Sequence, residues 1–407
     1  MAGRLPTDSA LRAVTVVFFL NGVIVGASLA RVPALRDQVE AATGPLGLAL
    51  VAVGVGSLVA MPFTAHWTRR FGSARVVLAA AAVCGTAWVG AGLSTSVPLL
   101  GAALFLVGAG IGVWDVAMNV QGHRVEQRDG RARLPWLHAC VSAGVVAGAG
   151  FAALCGRLGL RPLAQFTVVS AAVVLSTALA VRAFLPDTDP RPDGTQPDRG
   201  GPSGARRRSM WWYPPALLVG LVTVSTAFGE GAAGDWLALT MVDTKAVSEA
   251  SAAAGFAAYS AAMVLGRVYG GRAVNRWGRV GVLRVCGTTA TAGVLLVCLA
   301  DATPLVMAGA LLWGVGLSVV FPVTMSAAGE LVPGRGAEGI TVVSTIGYAG
   351  FLLGPPLLGL VADVSRLDRA LLIVAAFTAM IAVAATATRE RVPTRTVVDD
   401  VTGSDVR

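Results

Sequence analysis

Gly108-Ala-Gly-Ile-Gly-Val-Trp-Asp115-Val-Ala-Met-Asn119-Val-Gln121 is the stretch on which the reading of this chain turns. It lies inside a run apolar enough to cross a membrane, yet it holds a carboxylate and an amide. Gly108, Gly112, Asp115 and Asn119 fall at i, i+4, i+7 and i+11, which places them on one helical face. That face is bare at one end and polar at the other. An Asp at the centre of a membrane helix costs about 2.5–3.5 kcal/mol on insertion scales. A chain that carries one there either pairs it or uses it.

The surrounding sequence makes the membrane reading general. Of 407 residues, 55% are hydrophobic and 14% charged, where a soluble domain has about a quarter charged. The charges gather between apolar runs of about 20 residues, the length that crosses roughly 30 Å of hydrocarbon. Twelve such spans are expected. The first six lie near residues 11–33, 46–67, 75–94, 99–120, 137–156 and 163–184. The second six lie near 214–239, 252–273, 280–300, 303–326, 340–362 and 369–388. The first run continues into a Pro-containing exit without a small-residue cleavage site, so it reads as a retained helix. Residues 186–210, rich in Pro, Gly, Asp and Arg, read as a cytoplasmic linker between six-helix bundles at 1–185 and 211–390, with a cytoplasmic tail at 391–407.

The net charge of +9 is an orientation signal rather than a nucleic-acid surface. One set of alternate loops carries only Arg31, Arg36, Arg157, Arg161, Lys245, Arg366 and Arg369. Arg267 sits within a span, and the remaining basic residues fall on the other set, which also includes both termini. By the positive-inside rule the N- and C-termini are expected in the cytoplasm, in a multi-pass protein of the inner (cytoplasmic) membrane. The lipid bilayer is then its solvent, and a monomer is expected.

The two halves are related. Ala65-His-Trp-Thr-Arg69-Arg70-Phe-Gly72 follows the second span, and Gly271-Arg-Ala-Val-Asn275-Arg276-Trp-Gly278-Arg279 follows the eighth. Gly72 and Gly278 are 206 residues apart, and the same offset carries Gly108-Ala-Gly110 onto Gly314-Val-Gly316. Two matches at one offset indicate duplication of a six-helix unit.

Other chemistries find little support. The five cysteines fall in or at the ends of apolar runs with no CxxC, and read as packing residues. No set of ligands has metal-site spacing, no phosphate loop occurs, and Lys245 is the only lysine. No metal, cofactor or ATP-driven step is expected. A membrane-embedded enzyme would need a clustered nucleophile, His and acid, and the sequence offers none.

Duplicated basic turns, two six-helix halves and a central linker resemble the major facilitator superfamily over essentially the whole chain. Arg31-Val-Pro33-Ala-Leu-Arg36, Asp115-Val-Ala-Met-Asn119-Val-Gln121, His138-Ala, Glu230-Gly-Ala-Ala-Gly-Asp235-Trp236 and Gly354-Pro355-Pro356 resemble its MosC-like and YbjJ-like group. The resemblance implies an all-α membrane fold of two pseudo-symmetric six-helix bundles, with spans 1, 4, 7 and 10 around a central cavity. It implies gating by the loops that hold Arg69, Arg70, Gly72, Asn275, Arg276, Gly278 and Arg279. The chain departs from the family pattern Gly-x-x-x-Asp-Arg-x-Gly-Arg. Ala65 and Arg69 replace the Gly and the Asp in the first copy, and Asn275 replaces the Asp in the second. If that acid pairs across the halves in the family, the pairing is altered here. The span-4 Arg of proton-driven drug exporters is absent, with Leu104 and Phe105 at that place, and Gly148 is followed by Ala149 rather than Pro. The pattern is not that of a standard multidrug exporter.

Candidate substrate- or proton-binding residues are Asn21, Asp115, Asn119, Glu230 and Phe321, with Arg267 and His138 as charge partners. Asp115 can bind a proton or a cationic substrate group, since a carboxylate out of water holds its proton more firmly. Alternatively it is a fixed partner of Asn119 or of a loop arginine. Glu230 is the deepest acid of the second half. Arg267 can neutralise an intramembrane acid, although its place near a helix end favours snorkelling to the interface. His138, beside Trp136 at the start of span 5, is either a relay or, as its position favours, a packed interfacial residue. These residues predict a secondary active transporter of a small organic solute by alternating access, coupled to protons, with direction open. The alternatives are proton-antiport export of a specialised metabolite or drug-like compound, and a non-transporting sensor or scaffold. The last would be expected to bring a soluble domain, for which the linker is too short.

Overall fold

Long apolar runs leave the backbone only one way to satisfy its polar groups in hydrocarbon unless a sheet closes on itself, and the described residues fold as helices joined by short turns. The structure, a computed structural model, describes residues 7–29, 31–41, 43–187, 209–245 and 247–390. Most of the expected linker and the expected tail at 391–407 lie outside the described residues.

We label the spans in chain order. The first half has α1 (Thr7–Leu29), α2 (Leu48–Phe71), α3 (Ser73–Leu93), α4 (Val97–Asp129), α5 (Leu134–Arg157) and α6 (Pro162–Ala183). The second begins with α7 (Pro214–Asp243). One continuous element, Glu249–Leu299, is bent at Gly278, where φ is 70° and ψ 164°. Its two arms are α8 and α9. Then follow α10 (Thr303–Gly329), α11 (Gly336–Val364) and α12 (Leu367–Thr388). Eleven described helices are long and apolar enough to cross a membrane. The bent one is two spans, which gives the expected twelve.

The bend explains itself. Gly278 and its counterpart Gly72, with φ 84°, both take positive φ where a basic turn joins two antiparallel spans. That backbone conformation favours glycine. The fourth span runs further than expected, to Asp129, because nothing in His123-Arg-Val-Glu-Gln-Arg128 stops a helix. Gly130, left-handed at φ 67°, ends it.

The repeat is visible in the packing. Gly108 lies so close to α2 that a Cβ there would strike the Val53 carbonyl oxygen, and Gly314 meets the Tyr259 carbonyl of α8 in the same way. Gly110 abuts the backbone of Cys84 on α3, and Gly316 that of Ala290 on α9. Every member of the first set lies 206 residues before its mate. In each half the first helix packs on the fifth, the second on the fourth, and the third on the fourth and sixth. The halves meet where α5 packs on α8 and α2 on α11, contacts that are themselves mates.

Candidate functional site

α4 and α5 run antiparallel, and one hydrogen bond locks their register. His138 Nε2 lies 3.1 Å from Asn119 Oδ1. An amide oxygen only accepts, so the ring donates from Nε2. Asn119 in turn donates from Nδ2 to the Asp115 backbone carbonyl at 2.9 Å and to its carboxylate Oδ1 at 3.4 Å. Asp115 is 7% exposed, and its Oδ2 has no hydrogen-bond partner among the described residues. From the other half, the Tyr348 hydroxyl of α11 lies against this carboxylate, outside full hydrogen-bond geometry. Phe18 of α1 and Phe321 of α10 pack edge-on against the His138 ring, each with centroids 5.4 Å apart. Four candidates, Asp115, Asn119, His138 and Phe321, therefore meet in one cluster with residues of both halves.

A second cluster lies one turn along α5. Ser142 donates to the His138 carbonyl at 3.3 Å and accepts from Arg267 Nη1 at 2.9 Å. Arg267 Nη2 lies 3.3 Å from Glu230 Oε2, and Nε donates to the Ser318 carbonyl at 3.2 Å. The side chains of Arg267 and Glu230 are 12% and 16% exposed. Arg267 does not snorkel, contrary to what its position favoured: three groups from α5, α7 and α10 hold its guanidinium inside the protein. Glu230 thus has a cation, and among the described residues Asp115 has none. Asp115 and Ser142 each lie one turn from the Asn119–His138 contact, so the two clusters share a level within about one helical turn. α4 is centred near Val113, which leaves Asp115 about 3 Å from the helix centre.

Asn21 stays outside this network. It is 5% exposed on α1, and its Nδ2 has no partner among the described residues. A separate cleft of about 550 Å3, lined by Trp236, Asp243, Thr244, Ser365 and Arg366, opens at the far end of α7. Its Asp243 is about 20 Å along the helix from Glu230.

At the end that carries the basic turns, the halves are pinned together. Arg69 Nη1 lies 2.6 Å from Glu338 Oε1 at the start of α11. Asn275 Oδ1 accepts from the Ala132 N–H, just before α5, at 2.9 Å. Arg279 is bidentate to Glu330 at 2.6 and 2.7 Å and lies 3.9 Å from Glu126. Glu126 accepts from the Arg133 and Leu134 N–H groups and from Ser326 of the opposite half. Gly72 and Gly278 make the turns themselves. Arg70 lies over the Phe71 ring at 5.4 Å, and Arg276 is exposed on its turn. Sequence reading missed Tyr348, Ser142, Glu126, Glu330 and Glu338. The acids had a signal, since they stand at span ends among basic loops. Tyr348 and Ser142 had none beyond polarity within an apolar run.

Two repeated six-helix halves, joined at one end and holding buried ionisable groups between them, define a membrane carrier. The chain belongs to the Major Facilitator Superfamily, whose family model matches residues 14–237 and 219–403. It is an MFS transporter, and its likeness to the MosC-like group holds among known proteins. It is 34% identical over 377 residues to an uncharacterized transporter of Sinorhizobium fredii, covering 92% of this chain and 97% of that one. It is 32% identical to an uncharacterized MFS-type transporter of Yersinia pestis, covering 86% and 88%. It is 26% identical to the membrane protein MosC of Rhizobium meliloti, covering 92% and 89%. Among solved structures, the MFS transporter FucP in its outward conformation matches with a TM-score of 0.79 at 16% identity, over 94% of this chain and 99% of that one. The human organic anion transporter MFSD10 matches at 0.74 and 14% identity, over 95% and 100%.

Proposed function

We propose that this protein is a secondary active transporter that moves a small organic solute by alternating access, coupled to protons, with Asp115 as the proton carrier. One contrast carries the reading: Asp115 is buried and Glu230 part-buried, but among the described residues Glu230 has Arg267 and Asp115 has no cation. A carboxylate out of water with no cation neutralises itself by taking a proton. When the halves part, Asp115 loses Tyr348 and meets water, and the proton can leave. Glu230 and Arg267, both within the second half and tied to the first through Ser142, form the polar site offered to solute. The solved fucose:proton symporter FucP of E. coli shares this fold at a TM-score of 0.76 and 17% identity, over 94% of this chain and 98% of that one, and supports proton coupling in such a frame. We place the basic-turn end in the cytoplasm of the inner membrane, on the distribution of Arg residues, with residues 1–185 and 211–390 as the rocking halves.

The test has two stages. A thermal-shift screen of the purified protein against a solute library identifies a ligand. Proteoliposomes holding a pH-sensitive dye then report proton movement when that ligand is added. Coupling through Asp115 requires proton movement in wild type and none in Asp115→Asn. Undiminished proton movement in that variant defeats the assignment.

A further inference from the structure

The lipid-facing side of the first half is not smooth. A groove of about 440 Å3 runs between α3 and α4, bordered by the end of α2. Small residues line it, Ala79 and Ala80 on α3 and Ala109 and Gly110 on α4, where larger side chains would fill the seam. Val113 extends its apolar wall, and Trp67 and Phe71 close the end at the basic turn. Arg75, in the first turn of α3, is the only charged residue on the lining. It is exposed, and among the described residues it makes no ion pair and no hydrogen bond. Phe71, at the end of α2, carries the Arg70 guanidinium over its ring at 5.4 Å.

The residue types fix the level of each end. Trp, Phe and Arg together mark a headgroup boundary, and the alanine-lined wall beyond them lies at hydrocarbon depth. A water-soluble ligand would gain nothing from that wall, and a hydrocarbon chain would gain nothing from Arg75. A phospholipid answers to both. We infer that the groove is a binding site for an anionic phospholipid of the leaflet at the basic-turn end, with its acyl chain between α3 and α4 and its phosphate at Arg75. The anionic class follows from charge. Among the described residues no acid lines the groove, and a zwitterionic headgroup would bring its own cation against the Arg75 guanidinium. One arginine at the membrane surface favours an anionic over a neutral lipid by about five-fold. The site is independent of the transport reading, since it lies outside the two carboxylate clusters.

Delipidated full-length protein, incubated with equimolar phosphatidylglycerol and phosphatidylcholine in detergent, reports the site by native mass spectrometry of the retained lipid. Wild type is expected to retain phosphatidylglycerol over phosphatidylcholine by about five-fold. Arg75→Gln brings the ratio close to one, and Ala79→Trp, which fills the groove from an exposed position, lowers retention of both lipids. Inorganic phosphate leaves the bound phosphatidylglycerol in place, because the acyl chain holds it. Equal retention by wild type, a preference that survives Arg75→Gln, or displacement by phosphate alone overturns the inference. Unchanged gel-filtration profiles for the variants keep a folding defect from imitating loss of the site, and Arg75→Gln decides the question even if Ala79→Trp misfolds.

Discussion

Arg69 of the first basic turn reaches Glu338 of the opposite half at 2.6 Å, and the repeat makes the same contact a second time without charge. Asn275 stands 206 residues after Arg69, and its partner Ala132 stands 206 before Glu338. The family's acid is replaced by a base in the first turn, and the start of α11 answers with an acid. The contact is thus charged in one copy and neutral in the other. Arg69 is 53% exposed, so solvent screening limits the pair to about 1 kcal/mol or less.

Charge reversal tests the charged contact. Arg69→Glu sets two carboxylates face to face, and adding Glu338→Arg restores opposite charges. A double-mutant cycle on thermal unfolding should give a coupling of about 0.5–1 kcal/mol. Simple additivity would show that the contact carries no energy. Arg335 also pairs with Glu338, so Arg69→Ala should have a smaller effect than the reversal.

Asp115→Asn removes the ionisable group and keeps the shape of the side chain. The variant should fold, bind solute and catalyse solute–solute exchange across liposomes, while losing accumulation driven by a proton gradient. Exchange and driven uptake measured on one preparation separate the two outcomes. Loss of both together would assign Asp115 to binding or folding instead of coupling.

Glu230 and Arg267 are buried enough that breaking the pair costs more than removing it. Arg267→Met leaves an uncompensated carboxylate and should destabilise by about 3–5 kcal/mol, whereas Glu230→Gln/Arg267→Met should recover most of that loss. Melting temperatures of the single and double variants decide it. A double variant no more stable than Arg267→Met would mean the pair is not isolated in the way its 12% and 16% exposures indicate.

The unequal legibility of fold and site has a physical origin. Helix count and repeat were readable because membrane length and close glycine packing impose patterns along the chain: Gly108 and Gly314 must be small wherever a backbone passes against them. Asp115 and Glu230 were readable as costly residues in hydrocarbon. Their different pairing was not, because it depends on which way the Arg267 side chain turns: it reaches Glu230 on the preceding span and leaves Asp115 alone. The reach of that side chain toward Glu230, rather than toward the interface, is set by Ser142 and Ser318, two residues that carry no sequence signal of their own. Tyr348 was hidden for the same reason, as it meets Asp115 only through the contact of the halves.

Glycine-to-alanine exchange gives the sharpest test of the duplicated scaffold, because its sign changes with position. At Gly108 and Gly314 the added methyl would collide with the backbone carbonyls of Val53 and Tyr259, which cannot move without shifting a helix. Each variant should lose about 1–3 kcal/mol, as overpacked sites do. At Gly150 and Gly234, also helical, nothing lies within 4 Å of the new carbon. There the methyl meets no obstacle, and alanine's better helix propensity should stabilise by up to about 1 kcal/mol. Thermal melts of the four variants in one detergent should therefore split two and two around wild type. If Gly108→Ala and Gly314→Ala melt with the other pair, the close approach of α4 to α2 and of α10 to α8 is wrong, and with it the three-dimensional form of the repeat.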